Sequence, residues 1–82
     1  MMMLPKLKNG YVLKSSRSKY TLSNVSESIQ LRQNEYDILK FCNGTHTVSS
    51  IAYYLSQDYM GYADYKVVDK CITRGYTNGW FE

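Results

Sequence analysis

Side chains that carry chemistry are scarce in this chain. Its 82 residues hold two cysteines, one histidine and one proline. A single histidine and two distant cysteines, Cys42 and Cys71, cannot supply a structural zinc site at any usual spacing. Each cysteine stands among apolar neighbours in a helical pattern, which reads as a free thiol packed as a small hydrophobe. His46 follows Gly44 in a turn, with no nucleophile in the pattern for it to orient, and reads as a turn residue. Asn9-Gly10 and Asn43-Gly44 lie in turn contexts without the spacing of a phosphate-binding glycine loop. No apolar run approaches the roughly 20 residues that cross a bilayer. The opening MMMLPKLK lacks the apolar stretch of roughly 7 to 15 residues found in signal peptides. There is no internal repeat and no low-complexity tract. The expectation is a cytoplasmic chain with no catalytic residue, no metal and no cofactor.

What is present argues for a small folded unit. A hydrophobic content of 44% excludes disorder. A chain of this length buries roughly 60 to 65% of its unfolded surface, which leaves little room for an enclosed active site. The net charge of +3 admits an acidic partner without requiring one. Nine tyrosines are the unusual element. They fill volume while keeping a hydroxyl wet, or a share of them line a peptide groove.

Along the chain, residues 1–10 form a loose or weakly extended lead-in, where Pro5 argues against helix. Residues 11–82 form the domain. Tyr11–Lys14 and Lys19–Ser23 read as strands around a polar turn, Ser15 to Ser18. A third strand, Ser28–Leu31, places Ile29 and Leu31 on one face. Helical periodicity then begins at once. A first helix over Gln33–Cys42 has Tyr36, Leu39 and Cys42 as its core face, Ile38 or Phe41 in a second layer, and Gly44 as its stop. Thr47 caps a second helix whose buried stripe is Val48, Ile51, Ala52 and Leu55. Gln57–Tyr62 reads as a connector broken by Gly61. A third helix from about Asp64 to Thr77 puts Val68, Cys71, Ile72 and Gly75 on its core side. Lys66, Lys70 and Arg74 form a basic stripe rotated away from that side, and Val67 lies between the two. Gly75 implies a close backbone approach or a kink. Asn78-Gly79 ends the helix, and Trp80-Phe81 folds back to close the core. The class is α+β: a winged helix-turn-helix with a three-stranded antiparallel sheet followed by three helices.

Asn43-Gly44-Thr45-His46-Thr47-Val48-Ser49-Ser50-Ile51 resembles the "cDG-x-x-Tv-x-eIa-x-x-L" segment of PqqD-like proteins. Ile29, Leu31, Ile38 and Leu39 match that family's upstream "I-x-L-n-x-x-x-x-x-IL" pattern. Gly79-Trp80-Phe81-Glu82 is similar to its closing "G-L-L/I". The resemblance runs from Tyr11 onward. Arg32, Asn43 and Gly75 depart from it, where Asn, Asp and Leu are usual. PqqD-like domains are the RiPP recognition elements, which bind leader segments of ribosomally made precursor peptides. They occur as free proteins or at the N-terminus of maturases such as radical SAM enzymes. The resemblance implies a leader laid as an added strand on the third β-strand, in the groove beside the third helix. Carried onto this chain, the groove comprises Ser28, Ile29, Gln30, Leu31 and Arg32 with Val67, Lys70, Cys71 and Arg74.

Elementary energetics agree with such a mode. An open strand edge offers unpaired backbone groups that an extended peptide can satisfy. Backbone pairing is blind to sequence, so side chains must discriminate. One buried aliphatic or aromatic anchor contributes roughly 1.5 to 3 kcal/mol, against about 0.2 to 1 kcal/mol for an exposed ion pair with Lys70 or Arg74. Apolar anchors therefore set affinity, and the basic stripe favours acidic leaders and speeds their capture. The bland alternatives are a solvated face for Lys66, Lys70 and Arg74, ordinary core for Val67 and Cys71, and core side chains for Ile29 and Leu31. A rival function is DNA binding through the third helix. That helix lacks the Asn, Gln and Arg cluster that reads base edges, and no dimerisation element is evident. A third reading is a docking module of a larger modifying enzyme, with no precursor peptide of its own. In each reading the chain itself is not an enzyme. The expected partners are a leader peptide and a modifying enzyme, separate or fused, with no membrane.

Overall fold

The computed structural model describes residues 4–59 and 65–82. Three strands, β1 (Val12–Ser16), β2 (Lys19–Ser23) and β3 (Ser28–Leu31), precede three helices, α1 (Gln33–Lys40), α2 (Val48–Tyr59) and α3 (Tyr65–Thr77). The fold is α+β, as the alternation and helical spacing predict. Expectations at Met1–Met3, Met60–Tyr62 and Asp64 lie outside the described residues.

The sheet is an antiparallel meander in the order β1-β2-β3, so β3 is an edge. β1 runs to Ser16 rather than stopping at Lys14, and the four-residue polar turn shrinks to Arg17-Ser18. Both residues take positive φ, 49° and 68°, the handedness that matches the twist of two paired strands. Register places Leu13 opposite Leu22 and Leu22 opposite Ile29, with Tyr20 opposite Leu31. These side chains share one face. Leu22 and Leu31 are buried, and Leu13, Tyr20 and Ile29 pack against the core beside them.

α1 packs on that face and touches α2 and α3. Its most buried side chains are Ile38 and Leu39, with Asp37 buried as well, whereas Tyr36 is only half-buried. The core face is therefore rotated from the expected one, and Ile38 is a first-layer residue. The helix also ends at Lys40 instead of Cys42. The Phe41 and Cys42 N–H groups bond to the carbonyls three residues back, Ile38 and Leu39, at 3.0 Å each, which tightens the last turn, and the Cys42 carbonyl accepts from the Leu7 N–H at 3.1 Å. Gly44 does take the left-handed conformation expected of it (φ 86°), but in the turn beyond the helix.

Thr47 caps α2 through its Oγ1, which accepts from the Ser50 N–H at 3.1 Å. The α2 helix runs on through residues 57–59, so the connector begins later than expected. α3 buries Val68, Cys71, Ile72 and Gly75, the face its spacing predicts. The close approach at Gly75 is to the Phe81 ring, which occupies the space a Cβ would need. A glycine-terminated helix end follows: Trp80 N–H reaches the Gly75 carbonyl at 2.8 Å and Gly79 N–H the Tyr76 carbonyl at 3.2 Å, with Gly79 at φ 75°. Trp80 and Phe81 then fold back into the core, 1% and 4% exposed.

The lead-in is not loose where it is described. Lys6 pairs with Asn43 and Leu7 with Phe81 in isolated antiparallel bridges, and Pro5 is fully buried. Lys8 N–H donates to the Trp80 carbonyl and Glu82 N–H to the Lys6 carbonyl, each at 2.9 Å. The extended piece thus lies between the α1–α2 turn and the final residues.

Candidate functional site

The free margin of β3 can be read from the pairing. A two-residue turn closes on a hydrogen-bonded pair, here Ser16 and Lys19, and such pairs alternate along an antiparallel ladder. Lys19, Thr21 and Ser23 therefore direct their backbone groups to β1, and Tyr20 and Leu22 direct theirs to β3. Opposite these, Leu31 and Ile29 face β2. The N–H and C=O of Ser28 and Gln30 are left on the side where no strand pairs with β3 among the described residues. The Asn24 N–H bond to the Glu27 carbonyl, 2.9 Å, fits the same phase. Arg32 is next in this alternation but offers no backbone group. Its N–H donates to Glu35 Oε1 at 2.9 Å, and its carbonyl accepts from the Tyr36 N–H at 3.0 Å. The start of α1 stops the ladder.

Beyond that stop lies a cavity of about 380 Å³. α1 and the residue before it contribute Arg32, Asn34, Glu35 and Ile38, and one face of α3 contributes Val67, Lys70, Cys71 and Arg74. The α3 set recurs at positions one helical turn apart, so all four point the same way. Ile38 and Cys71 are buried and Val67 half-buried, forming an apolar floor. Charged groups rim it. Glu35 Oε2 accepts from Arg74 Nη1, and the Arg74 guanidinium also lies 5.2 Å over the Trp80 ring. Lys70 and Arg32 form no ion pair among the described residues. The buried Oδ1 of Asn34 accepts no hydrogen bond within the described protein, so an acceptor stands ready in the wall.

Burial pushes the Cys71 thiol up to about 12, with the Glu35 carboxylate adding to the rise and Arg74 opposing it. Burial, then Cys71, does the same to Cys42. Both are free and protonated at neutral pH, and neither is a nucleophile. His46 stands edge-on beside the stacked rings of Phe41 and Tyr54, at 5.5 and 5.6 Å, as part of an aromatic cluster. No group of three or more His, Cys, Asp or Glu side chains among the described residues is placed to hold a metal. No helix there is long and apolar enough to cross a membrane.

Of the residues expected at a groove, the structure gathers Arg32, Val67, Lys70, Cys71 and Arg74 around one cavity. Ser28 and Gln30 stand on the adjoining margin through their backbones, while Ile29 and Leu31 turn theirs inward. Lys66 is exposed on α3 but does not line the cavity. Asn34, Glu35 and Ile38 belong to the cavity without having been anticipated there. Glu35 carried a signal: it stands three residues after Arg32, the position from which an acid reaches back to the residue preceding a helix.

No protein-family model matches the sequence, and no curated protein matches it. Among solved structures, the heterocyclase TruD is similar, with a TM-score of 0.71 and 20% identity over 95% of this chain. The match spans 11% of the heterocyclase chain. The similarity is one of fold, between this chain and one segment of a much larger enzyme.

Proposed function

We propose that this domain is a PqqD-like RiPP recognition element that binds the leader of a ribosomally made precursor peptide and presents it to a modifying enzyme, separate or fused. The observation that carries the reading is the free β3 margin ending beside a cavity with an apolar floor and a cationic rim. An extended leader would pair with Ser28 and Gln30, pass the ladder's stop at Arg32, and set an anchor against Ile38, Val67 and Cys71. Two residues offer four backbone groups, each hydrogen bond contributing about 0.5 to 1.5 kcal/mol net. A ladder this short leaves much of the affinity to the anchor. The presence of this fold as a segment of a heterocyclase supports a role beside enzymatic chemistry carried elsewhere.

The test is a titration of the fluorescently labelled leader encoded beside this gene, run in parallel with duplex DNA. Saturable leader binding that a Val67→Asp variant loses while still folding supports the reading. Saturable binding to DNA alone replaces it with the rival function.

A further inference from the structure

The cavity rim carries three cations, Arg32, Lys70 and Arg74, and one carboxylate, Glu35. They are not equivalent. Glu35 is largely shielded, its side chain 15% exposed, and both of its oxygens are engaged. One holds the Arg32 N–H and the other the Arg74 guanidinium. Arg74 is further restrained by the Trp80 face beneath it. Arg32 and Lys70 have no acidic partner among the described residues. One of the three rim cations, Arg74, is therefore already neutralised from within.

A carboxylate approaching Arg74 meets Glu35 at the same guanidinium. Like charges sharing one partner repel, and the incoming group gains little. A carboxylate approaching Lys70, which has no acidic partner among the described residues, meets no such competitor. We propose that Glu35 is a specificity-determining residue of this groove: it occupies the place at Arg74 that an acidic side chain of a bound extended peptide would take, so that acidic residues are accepted at Lys70 and refused at Arg74. This rests on the peptide-binding reading above. Glu35 acts on the ligand through Arg74, and its substitution by Gln retains an acceptor for the Arg32 N–H, so the start of α1 is preserved.

The experiment begins with a random 12-residue peptide display library selected on the wild-type chain and separately on Glu35→Gln. Peptides from the variant should carry one more Asp or Glu than those from the wild type. In titrations, a peptide with that extra acid should bind the variant about three- to fivefold more tightly than the wild type, the scale of one lightly shielded ion pair. Its Gln or Asn counterpart should bind both proteins equally, a contrast that a purely structural role for Glu35 would not produce. Equal acid content in the two pools, or an acidic peptide that binds the variant no better than the wild type does, overturns the proposal while leaving peptide binding intact. Enrichment of no peptide on either protein overturns the recognition reading itself, and this inference with it.

Discussion

The Glu35 carboxylate joins two elements distant in sequence: through one oxygen it holds the backbone at the start of α1, and through the other it grips Arg74 on α3. Arg74 is half exposed, so this pair and its contact with Trp80 together contribute about 1 kcal/mol rather than the several a buried pair would suggest. Arg74→Ala should lower the melting temperature by roughly 4 to 8 °C, the scale for a domain of this size. A melting curve superimposable on the wild type would show that the contact is not maintained in solution.

Gly75 is fixed by the Phe81 ring. Gly75→Ala improves helix propensity by about 1 kcal/mol, but its methyl group meets a ring that is itself packed in the core. Overpacking should prevail, for a net loss of about 1 to 2 kcal/mol in urea unfolding. Adding Phe81→Leu should recover part of what the first substitution costs, giving a coupling between the two sites. Strict additivity would contradict the contact.

Gln30→Pro tests the free margin. Its N–H lies outside the β2–β3 ladder, so proline there removes no sheet hydrogen bond, as edge positions permit. Leader affinity should fall about three- to tenfold, the effect of a lost backbone bond. Ser15→Pro is the matched control, because Ser15 faces the opposite margin on β1. Calorimetric titration of both variants, with circular dichroism to verify folding, decides the matter. Equal losses in the two would dissociate binding from β3.

The two thiols predict an alkaline limit. Their folded pKa values, pushed up to about 12 by burial, lie above the usual thiol range. The unfolded chain therefore releases these protons first as pH rises. The stability they contribute is intact below about pH 8.5 and is lost as pH climbs toward 12, by at most about 1.4 kcal/mol per pH unit for each thiol. A Cys42→Ala, Cys71→Ala double variant starts less stable but should show a shallower decline between pH 9 and 11. Identical slopes would mean that other groups govern alkaline unfolding.

The elements that could be read from the sequence are those whose period is set by a single buried face. Val68, Cys71, Ile72 and Gly75 recur with the helical turn and are the residues α3 buries. Thr47 declares its cap by residue type alone. Polarity misled at Ser15 and Ser16, because an outer strand exposed to water looks like a turn until its partner's register is known. The first helix misled in a different way. Its end at Lys40 is a tightening, with the Phe41 and Cys42 N–H groups bonded three residues back, and the Cys42 carbonyl is taken by Leu7, a partner far away in sequence. The cavity was legible on its α3 side through the family resemblance, which carried Val67, Lys70, Cys71 and Arg74 into one groove. On its α1 side only Arg32 was anticipated. Glu35 stood out only as an acid suited to the start of a helix, and its pairing with Arg74 exists only once both helices have docked.

Residues 5–8 lie between a turn formed midway along the chain and the final three residues. A polypeptide emerging from the ribosome cannot complete that clasp until Trp80, Phe81 and Glu82 have cleared the exit tunnel. The sheet and α1 can assemble earlier from nearby contacts, but the backbone bonds of Lys6 to Glu82 and of Lys8 to Trp80 form only after those residues have emerged. Loss of Trp80, Phe81 and Glu82 would therefore release residues 6–8 from those backbone partners as well.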